Sequence, residues 1–200
     1  MSLWAIVPVK PLRMSKPQLS DVLDEEKRLT LNLTMLGNTL QVLSSVQEID
    51  QVLVISRDSS VLSMARDYGA RTLQEDPNSP LEVVLQRAAA VARAYAARAL
   101  LIVAADLPLL APEDVQTMLA HAVQPPEMII APDRKMDGVN VVLINPIEMF
   151  KVTFGKGSVE RYQKQAVARG TRLEILSLPT LAFDLDSPED LEYLNQVEQV

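Results

Sequence analysis

Several residue types that carry common active-site chemistry are absent or nearly absent from this chain of 200 residues. There is no cysteine, which excludes disulfide bonds, thiol catalysis and cysteine-ligated metals. His121 is the single histidine, so multi-histidine zinc sites are excluded and a Ser-His-Asp triad is disfavoured. No apolar run approaches the ~18–20 residues that a transmembrane helix requires.

Positive charge is also in short supply. Nineteen Lys and Arg residues face 26 Asp and Glu residues, which leaves a net charge of −7 with no basic stripe. We therefore expect neither nucleic acid nor an anionic membrane as a partner. The net negative charge still allows a nucleotide as a ligand, because a divalent cation can screen the charge of its phosphates. The N-terminal sequence enters a strand without a signal-peptide layout, so we expect a cytoplasmic protein.

What is present is an alternation of apolar strands and amphipathic helices along the whole chain. Residues 100–104 form an unbroken apolar run that is typical of a strand buried on both faces. The composition, 48% hydrophobic and 22% charged, fits a globular protein. Since no linker or repeat interrupts the alternation, we predict a single α/β domain over 1–200. It is a doubly wound, mostly parallel sheet with helices on both faces.

The individual elements follow from apolar periodicity and from capping residues. Strands are predicted at 3–9, 51–56, 71–73, 100–104, 127–131, 141–144, 172–177 and 181–183. Helices are predicted at 25–43, 59–68, 81–98, 112–122 and 159–168, with a last one after residue 187. Asp24 and Ser158 are predicted N-caps, as is Ser187 or Asp186 before Pro188. His121 is predicted to be an ordinary residue at a helix end.

Charged side chains follow several predicted strands at one edge of the sheet. Asp106 follows the central strand, and Asp184 and Asp186 follow a late one. The loop after the first strand (10–23, the cation loop) carries three cations: Lys10, Arg13 and Lys16. Because ligands bind at the carboxyl ends of strands in open α/β sheets, we expect these groups to meet. They suit a Mg²⁺–nucleoside triphosphate site and nucleotidyl transfer without a protein nucleophile or histidine base.

Each of these features also has an ordinary structural interpretation. The sequence DLDSPEDL (184–191) is partly good helix-start chemistry, and the cation loop could be solvated. The sequence FGKGS (154–158, the glycine turn) could be a plain turn. Neither a GxGxxG fingerprint nor a Walker loop is present, so Rossmann dinucleotide sites and P-loop sites lack their motif.

Five segments resemble, in order and spacing, the guanylyltransferases of coenzyme F-420 biosynthesis. They are AIVPVKPL (5–12), AADLPLLAPEDV (104–115), APDRKMDGVNVVL (131–143), FGKGS (154–158) and FDLDSPEDL (183–191). The resemblance covers nearly the whole chain. It implies a nucleotide-diphospho-sugar transferase-like (MobA-like) fold. It also implies transfer of GMP from GTP to 2-phospho-L-lactate or phosphoenolpyruvate, with release of pyrophosphate.

The same resemblance implies roles for individual residues. Asp106 would bind Mg²⁺, with Asp186 or Asp184 as its partner across the site. Lys10 and Lys16 would cover the triphosphate, which makes Asp106 and Lys16 the predicted catalytic residues. The positions that would receive the phosphorylated acid are Asn140, Gly155 and Ser158, together with the backbone N–H of Val139. A close backbone approach and a helix N-terminus suit such an anion.

Three positions depart from the family pattern. Gln18 stands where K-S-R-L has arginine, so a planar bidentate phosphate donor is lost. Val139 stands where G-T-N has threonine, and a hydroxyl is lost. Glu82 stands where G-L-N has asparagine, and its carboxylate can accept from the guanine N1–H and N2–H edge. Two alternatives therefore stay open: a nucleotide-binding protein without chemistry, and a transferase for another nucleotide and acceptor. The oligomeric state, a homodimer included, also stays open.

Overall fold

A computed structural model describes residues 2–197 and contains a seven-stranded sheet of order β3-β2-β1-β4-β6-β5-β7. The strands are β1 (Leu3–Pro8), β2 (Ile49–Ser56), β3 (Arg71–Gln74), β4 (Ala99–Val103), β5 (Glu127–Pro132), β6 (Val139–Asn145) and β7 (Arg172–Ile175). The helices are α1 (Glu25–Ser45), α2 (Ser59–Asp67), α3 (Leu81–Ala94), α4 (Pro112–Ala120), α5 (Ser158–Arg169), α6 (Pro179–Ala182) and α7 (Pro188–Val197). Two short 3-10 turns, Leu12–Met14 and Pro17–Leu19, shape the cation loop.

Strand direction confirms the mostly parallel sheet. Strands β1, β2, β3 and β4 are mutually parallel, and β7 is parallel to β5. Strand β6 lies between β4 and β5 and is antiparallel to both. It is joined to β5 by residues 133–138, which we call the hairpin loop. The insertion of β6 places this loop beside the carboxyl end of β4.

Apolar side chains fill both faces of the sheet. Along β1, Ala5 and Val7 belong to the cluster covered mainly by α1, α2 and α4. Their neighbours Trp4 and Ile6 belong to the opposite cluster, which is covered by α3 and α5. Burial on both faces explains why the strands read as continuous apolar runs rather than as alternating patterns. Within residues 2–197, no helix combines the length and apolarity needed to cross a membrane.

Two predicted elements were clearly wrong in extent or type, and one predicted N-cap was wrong. The helix predicted over 81–98 ends at Ala94, because Ala96 adopts φ +63° and the amide of Ala97 returns to the Ala92 carbonyl at 3.0 Å. The strand predicted over 181–183 is replaced by the single-turn helix α6. The apolar pattern there reflects burial of Leu181, which is fully enclosed. The N-cap predicted at Ser158 was wrong: Ser158 is the first residue of α5, and Gly157, at φ +72°, is the N-cap.

Other helix-start predictions were correct. The Asp24 carboxylate accepts from the Lys27 amide at 2.8 Å and caps α1. At α7 the Ser187 hydroxyl accepts from the Asp190 amide at 3.3 Å, so Ser187 rather than Asp186 is the N-cap. His121 is the C-cap of α4, as expected of an ordinary helix-end residue, and its Nδ1 lies 2.6 Å from Glu174.

Candidate active site

The backbone brings two distant acidic segments together at the carboxyl edge of the sheet. Strands β1 and β4 are adjacent and parallel, so the cation loop and Asp106 emerge side by side. The amide of Leu185 donates to the carbonyl of Asp106 at 3.1 Å. This bond seats residues 184–187, which we call the carboxylate loop, directly against the end of the central strand.

Lys16 is the cation that meets these acids. Its side chain is only 5% exposed, and its Nζ lies 3.5 Å from both Asp106 Oδ2 and Asp186 Oδ1. The same ammonium donates to the carbonyl of Leu185. The adjacent Leu19 is fully buried with Leu185, so the cation loop is held down by apolar contact as well as by charge.

The three aspartates of this edge influence one another electrostatically. Burial is the main cause that raises the pKa of Asp184, and the carboxylates of Asp186 and Asp106 raise it further. Three carboxylates with one neighbouring ammonium leave an excess of negative charge that attracts a further cation. No three His, Cys, Asp or Glu side chains of the described chain are disposed to hold a metal on their own.

The hairpin loop and the glycine turn form the opposite side of the site. Asp133 Oδ2 accepts from the Gly138 amide at 2.9 Å, and a Cβ at Gly138 would lie 2.7 Å from that oxygen. A Cβ at this position would therefore displace the Asp133 carboxylate from the Gly138 amide. Asp137 then joins the two segments: its carboxylate accepts from Gly157 at 3.1 Å and its carbonyl accepts from Val159 at 3.2 Å.

These bonds change the expected anion site at the start of α5. The amides of Gly157 and Val159 are bonded to Asp137, and the amide of Ser158 donates to the Gly155 carbonyl at 3.1 Å. The Ser158 hydroxyl, by contrast, is buried and has no hydrogen-bond partner within the described chain. Because buried polar groups are normally paired, this hydroxyl is the group at the start of α5 that keeps unused hydrogen-bonding capacity.

The remaining predicted acid-binding positions differ in their surroundings: Gly155 lies against the hairpin loop, whereas the Asn140 side chain is directed towards α6. Val139 and Asn140 are buried in β6, and the Asn140 side-chain amide donates to the Leu181 carbonyl at 2.9 Å. That bond fastens β6 to α6. Gly155 lies in the glycine turn at φ +72°, and a Cβ on Gly138 would be 3.6 Å from its carbonyl oxygen. The end of the hairpin loop and the glycine turn therefore approach each other closely.

Glu82 and the other cations of the cation loop occupy different surroundings. Glu82 Oε1 lies 3.4 Å from Thr153 Oγ1 and 3.8 Å from Arg161 Nε, so it faces the base of the glycine turn. Lys10 is exposed, whereas Arg13 pairs with Glu25 at 2.7 Å on the surface. Lys16 is thus the one cation of this loop whose contacts join it to Asp106.

Sequence analysis missed Arg134 and Asp190. The Asp190 carboxylate accepts from the amides of Asp186 at 2.9 Å and Ser187 at 2.8 Å, and it pairs with Arg134. Burial acts to raise the pKa of Asp190, but the hydrogen bonds from Arg134 and from these amides lower it overall. The spacing of Ser187 and Asp190 is that of a capping box, which could have identified Asp190. No local pattern identifies Arg134.

Comparison with protein families places the chain clearly. The family described as "Guanylyl transferase CofC like" matches residues 3–195. A phosphoenolpyruvate guanylyltransferase from Rubrobacter xylanophilus is 40% identical over 97% of this chain and 94% of its own length. Proteins of the same name from Sphaerobacter thermophilus and Roseiflexus castenholzii are 36% and 38% identical. They cover 97% and 98% of this chain, and 93% and 89% of their own lengths.

Solved structures agree with the fold. A putative nucleotide-diphospho-sugar transferase from Desulfovibrio desulfuricans superimposes with a TM-score of 0.78 at 15% identity, over 99% of this chain and 88% of that one. A 4-diphosphocytidyl-2C-methyl-D-erythritol synthase from Anaerococcus prevotii gives a TM-score of 0.67 at 13% identity, over 100% and 96%. At such identities the likeness speaks for the fold alone, and it confirms the nucleotide-diphospho-sugar transferase-like architecture.

Proposed function

Because this chain belongs to the guanylyl transferase CofC-like family, we propose that it transfers GMP from GTP to phosphoenolpyruvate. Pyrophosphate is released, and the product enters coenzyme F-420 biosynthesis. We choose phosphoenolpyruvate over 2-phospho-L-lactate as the acceptor because relatives at 36–40% identity over nearly the whole chain are named phosphoenolpyruvate guanylyltransferase. GTP is a cytoplasmic metabolite, so we place the reaction in the cytoplasm.

The observation that carries this proposal is the buried ammonium of Lys16 shared by Asp106 and Asp186. We assign the triphosphate to this edge, where Lys16 binds phosphate oxygens and Lys10 adds charge from the exposed loop. The donor set fits Mg²⁺, which prefers carboxylate oxygens and commonly takes only one or two of them beside phosphate and water. Asp106 and Asp186 would hold the ion, which when bound neutralises triphosphate charge. Asp184 adds negative charge beside them.

We assign the phosphorylated acid to the opposite side, between β6 and the glycine turn. The Ser158 hydroxyl donates to the anion, and the amide of Val139 and the backbone of Gly155 line its path. Asn140 supports this side through its bond to Leu181 rather than through a free amide. The residues therefore orient the acid's phosphate towards the nucleotide.

The chemistry needs no general base from the protein. An oxygen of the acid's phosphate, already anionic at neutral pH, attacks the α-phosphorus of GTP in line. A new P–O–P linkage forms, the bond to the β-phosphate breaks, and pyrophosphate leaves with the electron pair. Catalysis then consists of positioning and charge neutralisation. The pairing of His121 with Glu174 agrees with a reaction that makes no use of histidine.

The direct test is pyrophosphate release by the purified protein with GTP, Mg²⁺ and phosphoenolpyruvate. We expect release that requires all three, with ATP and CTP as nucleotide controls and 2-phospho-L-lactate as the competing acid. Release with CTP but not GTP would instead favour a transferase for another nucleotide. Calorimetric GTP binding without product from any phosphorylated acid would favour a protein that retains nucleotide binding alone.

One structural observation bears on nucleotide choice. Glu82, the predicted reader of guanine, is oriented towards Thr153 and Arg161. We propose that this contact fixes the carboxylate and leaves its second oxygen for the guanine N1–H and N2–H edge. Glu82→Gln should therefore reduce the preference for GTP over ATP, which competition between the two nucleotides measures.

A further inference from the structure

An ion pair outside the assigned catalytic groups joins the two sides of the site. Arg134 belongs to the hairpin loop, and its guanidinium pairs with Asp190 at the start of α7. It also donates to the Asp184 carbonyl at 3.4 Å and lies 4.8 Å above the ring of Phe183. The arginine therefore contacts the carboxylate loop through the Asp184 carbonyl, and it contacts the residues on either side of that loop through the charge of Asp190 and the ring of Phe183.

Asp190 transmits this contact to the loop backbone. Its side chain is only 8% exposed, and its Oδ2 accepts from the amides of both Asp186 and Ser187. A buried carboxylate with these bonds fixes the direction in which Asp186 leaves the backbone. Removing its cation would leave a buried, unpaired charge at the base of the carboxylate loop.

The loop that carries Arg134 also contacts the side assigned to the phosphorylated acid. The loop that carries Arg134 is closed by Asp133 on Gly138, and Asp137 binds the amide of Gly157. Hydrogen bonds at both ends of the hairpin loop, together with its backbone, thus connect Asp186 to the glycine turn.

We propose that the Arg134–Asp190 pair positions Asp186 for the metal–nucleotide complex and couples its binding to that of the phosphorylated acid. Arg134 is a positioning residue, since the contacts described for it are with Asp190, the Asp184 carbonyl and the ring of Phe183. The inference rests on the proposed function for the identity of the two ligands. Whatever the two ligands are, binding on one side strengthens binding on the other through this pair.

The experiment compares wild type with Arg134→Ala and Arg134→Lys. The first measurement is calorimetric titration of Mn²⁺ into protein holding a non-hydrolysable GTP analogue, with and without phosphoenolpyruvate. We expect Arg134→Ala to weaken Mn²⁺ binding by about 10–100-fold, the usual effect of losing a group that orients a metal ligand. It should also abolish the strengthening caused by the acid. Lysine should restore part of both, because it keeps the charge but not the planar donor geometry.

Kinetics provides the second readout. In Arg134→Ala, the Mg²⁺ concentration for half-maximal rate and the KM for phosphoenolpyruvate should rise together. Arg93→Ala, which removes an exposed arginine at the end of α3, should match wild type in every measurement. Thermal unfolding of each variant separates this result from a loss of folded protein.

Several outcomes would overturn the inference. Unchanged Mn²⁺ affinity in Arg134→Ala, or acid-induced strengthening that persists without the arginine, contradicts it. Failure of the wild-type protein to bind Mn²⁺ in the presence of the GTP analogue also contradicts it. Absence of turnover alongside normal Mn²⁺ coupling would instead count against the proposed function and leave the coupling standing. If Arg134→Ala proves unstable, the Arg134→Ala/Asp190→Asn double variant removes the unpaired charge, and its effects should be less than additive.

Discussion

Four aspartates of the candidate site form two pairs, and the pairs point their oxygens at different kinds of partner. Asp106 and Asp186 face the ammonium of Lys16, whereas Asp133 and Asp190 accept from backbone amides. Asp190 also pairs with Arg134. The first arrangement leaves charge available to a ligand, while the second uses it to hold a loop in shape. The same residue type is therefore available for binding in one pair and serves architecture in the other. Substitutions that look alike should separate into effects on turnover and effects on stability.

The sharpest test of this contrast is Asp106→Asn. The amide keeps the shape of the side chain but loses the negative charge, so turnover should fall by at least about 10³-fold. Thermal unfolding should stay near that of wild type, because one of two carboxylates on Lys16 remains. Asp21→Asn, an exposed aspartate of the cation loop, is the matched control. Normal turnover in Asp106→Asn would refute the assignment of Asp106 to the metal.

Lys16→Ala should give the next largest effect. Losing the buried ammonium removes a charge-assisted contact to the triphosphate, and we expect turnover to fall by about 10²-fold. Asp106 and Asp186 would then face each other without a cation, so added Mg²⁺ should raise the unfolding temperature more than in wild type. The exposed Lys10 is screened by solvent, and Lys10→Ala should lower turnover by less than about tenfold. Equal losses in both variants would contradict the distinction drawn from burial.

Ser158→Ala tests the acid side. Removing a hydrogen bond to a charged ligand costs about 1.5 kcal/mol, so the KM for phosphoenolpyruvate should rise by roughly tenfold. The KM for GTP should not change. Thr171→Ala provides a matched control, because its hydroxyl is likewise buried without a partner in the described structure but lies between α5 and β7. A similar rise in both variants would mean that the effect is not specific to the acid site.

The smallest effect is expected for Asp58→Ala, which tests an aspartate used for architecture. Asp58 caps α2 and accepts from the amides of Ser60 at 3.0 Å and Leu12 at 3.1 Å. Loss of a cap should lower the free energy of unfolding by about 1 kcal/mol at pH 7, with little change in turnover. Asp67→Ala, an exposed acid at the other end of α2, should leave stability unchanged.

The pH dependence of that difference can be given a sign. Burial opposes ionisation of Asp58, but hydrogen bonds from the Ser60 hydroxyl and from the amides of Leu12 and Ser60 lower its pKa below 3.8. The contribution of its charge to stability is therefore present above the ordinary aspartate range and is lost as the pH falls through the lowered pKa. Denaturant unfolding at neutral and strongly acid pH should show the gap between wild type and Asp58→Ala shrinking. A gap that widens towards acid pH would contradict this.

The parts of the molecule that sequence analysis predicted correctly depend on neighbouring residues. Unbroken apolar runs identified β1, β4 and β5, because burial on both faces needs only the residues of the strand itself. The cap at Asp24 depends on an amide three residues away. The meeting of Lys16 with Asp106 followed from a general rule, since carboxyl ends of neighbouring parallel strands share one edge.

Other features of the site were decided by the tertiary structure alone, because they depend on which segments lie next to each other. Strand β6 inserts between β4 and β5, and this order brings Arg134 to Asp190 across 56 residues of sequence. It also gives the amides at the start of α5 to Asp137 and leaves the Ser158 hydroxyl buried and unpaired. Apolar periodicity and caps report on burial and on helix ends, but they carry no information about which strand lies next to which. Sequence by itself therefore determined the fold class and the edge of the sheet at which Lys16 meets Asp106, and the folded chain decided which polar groups are paired with one another and which are left unpaired.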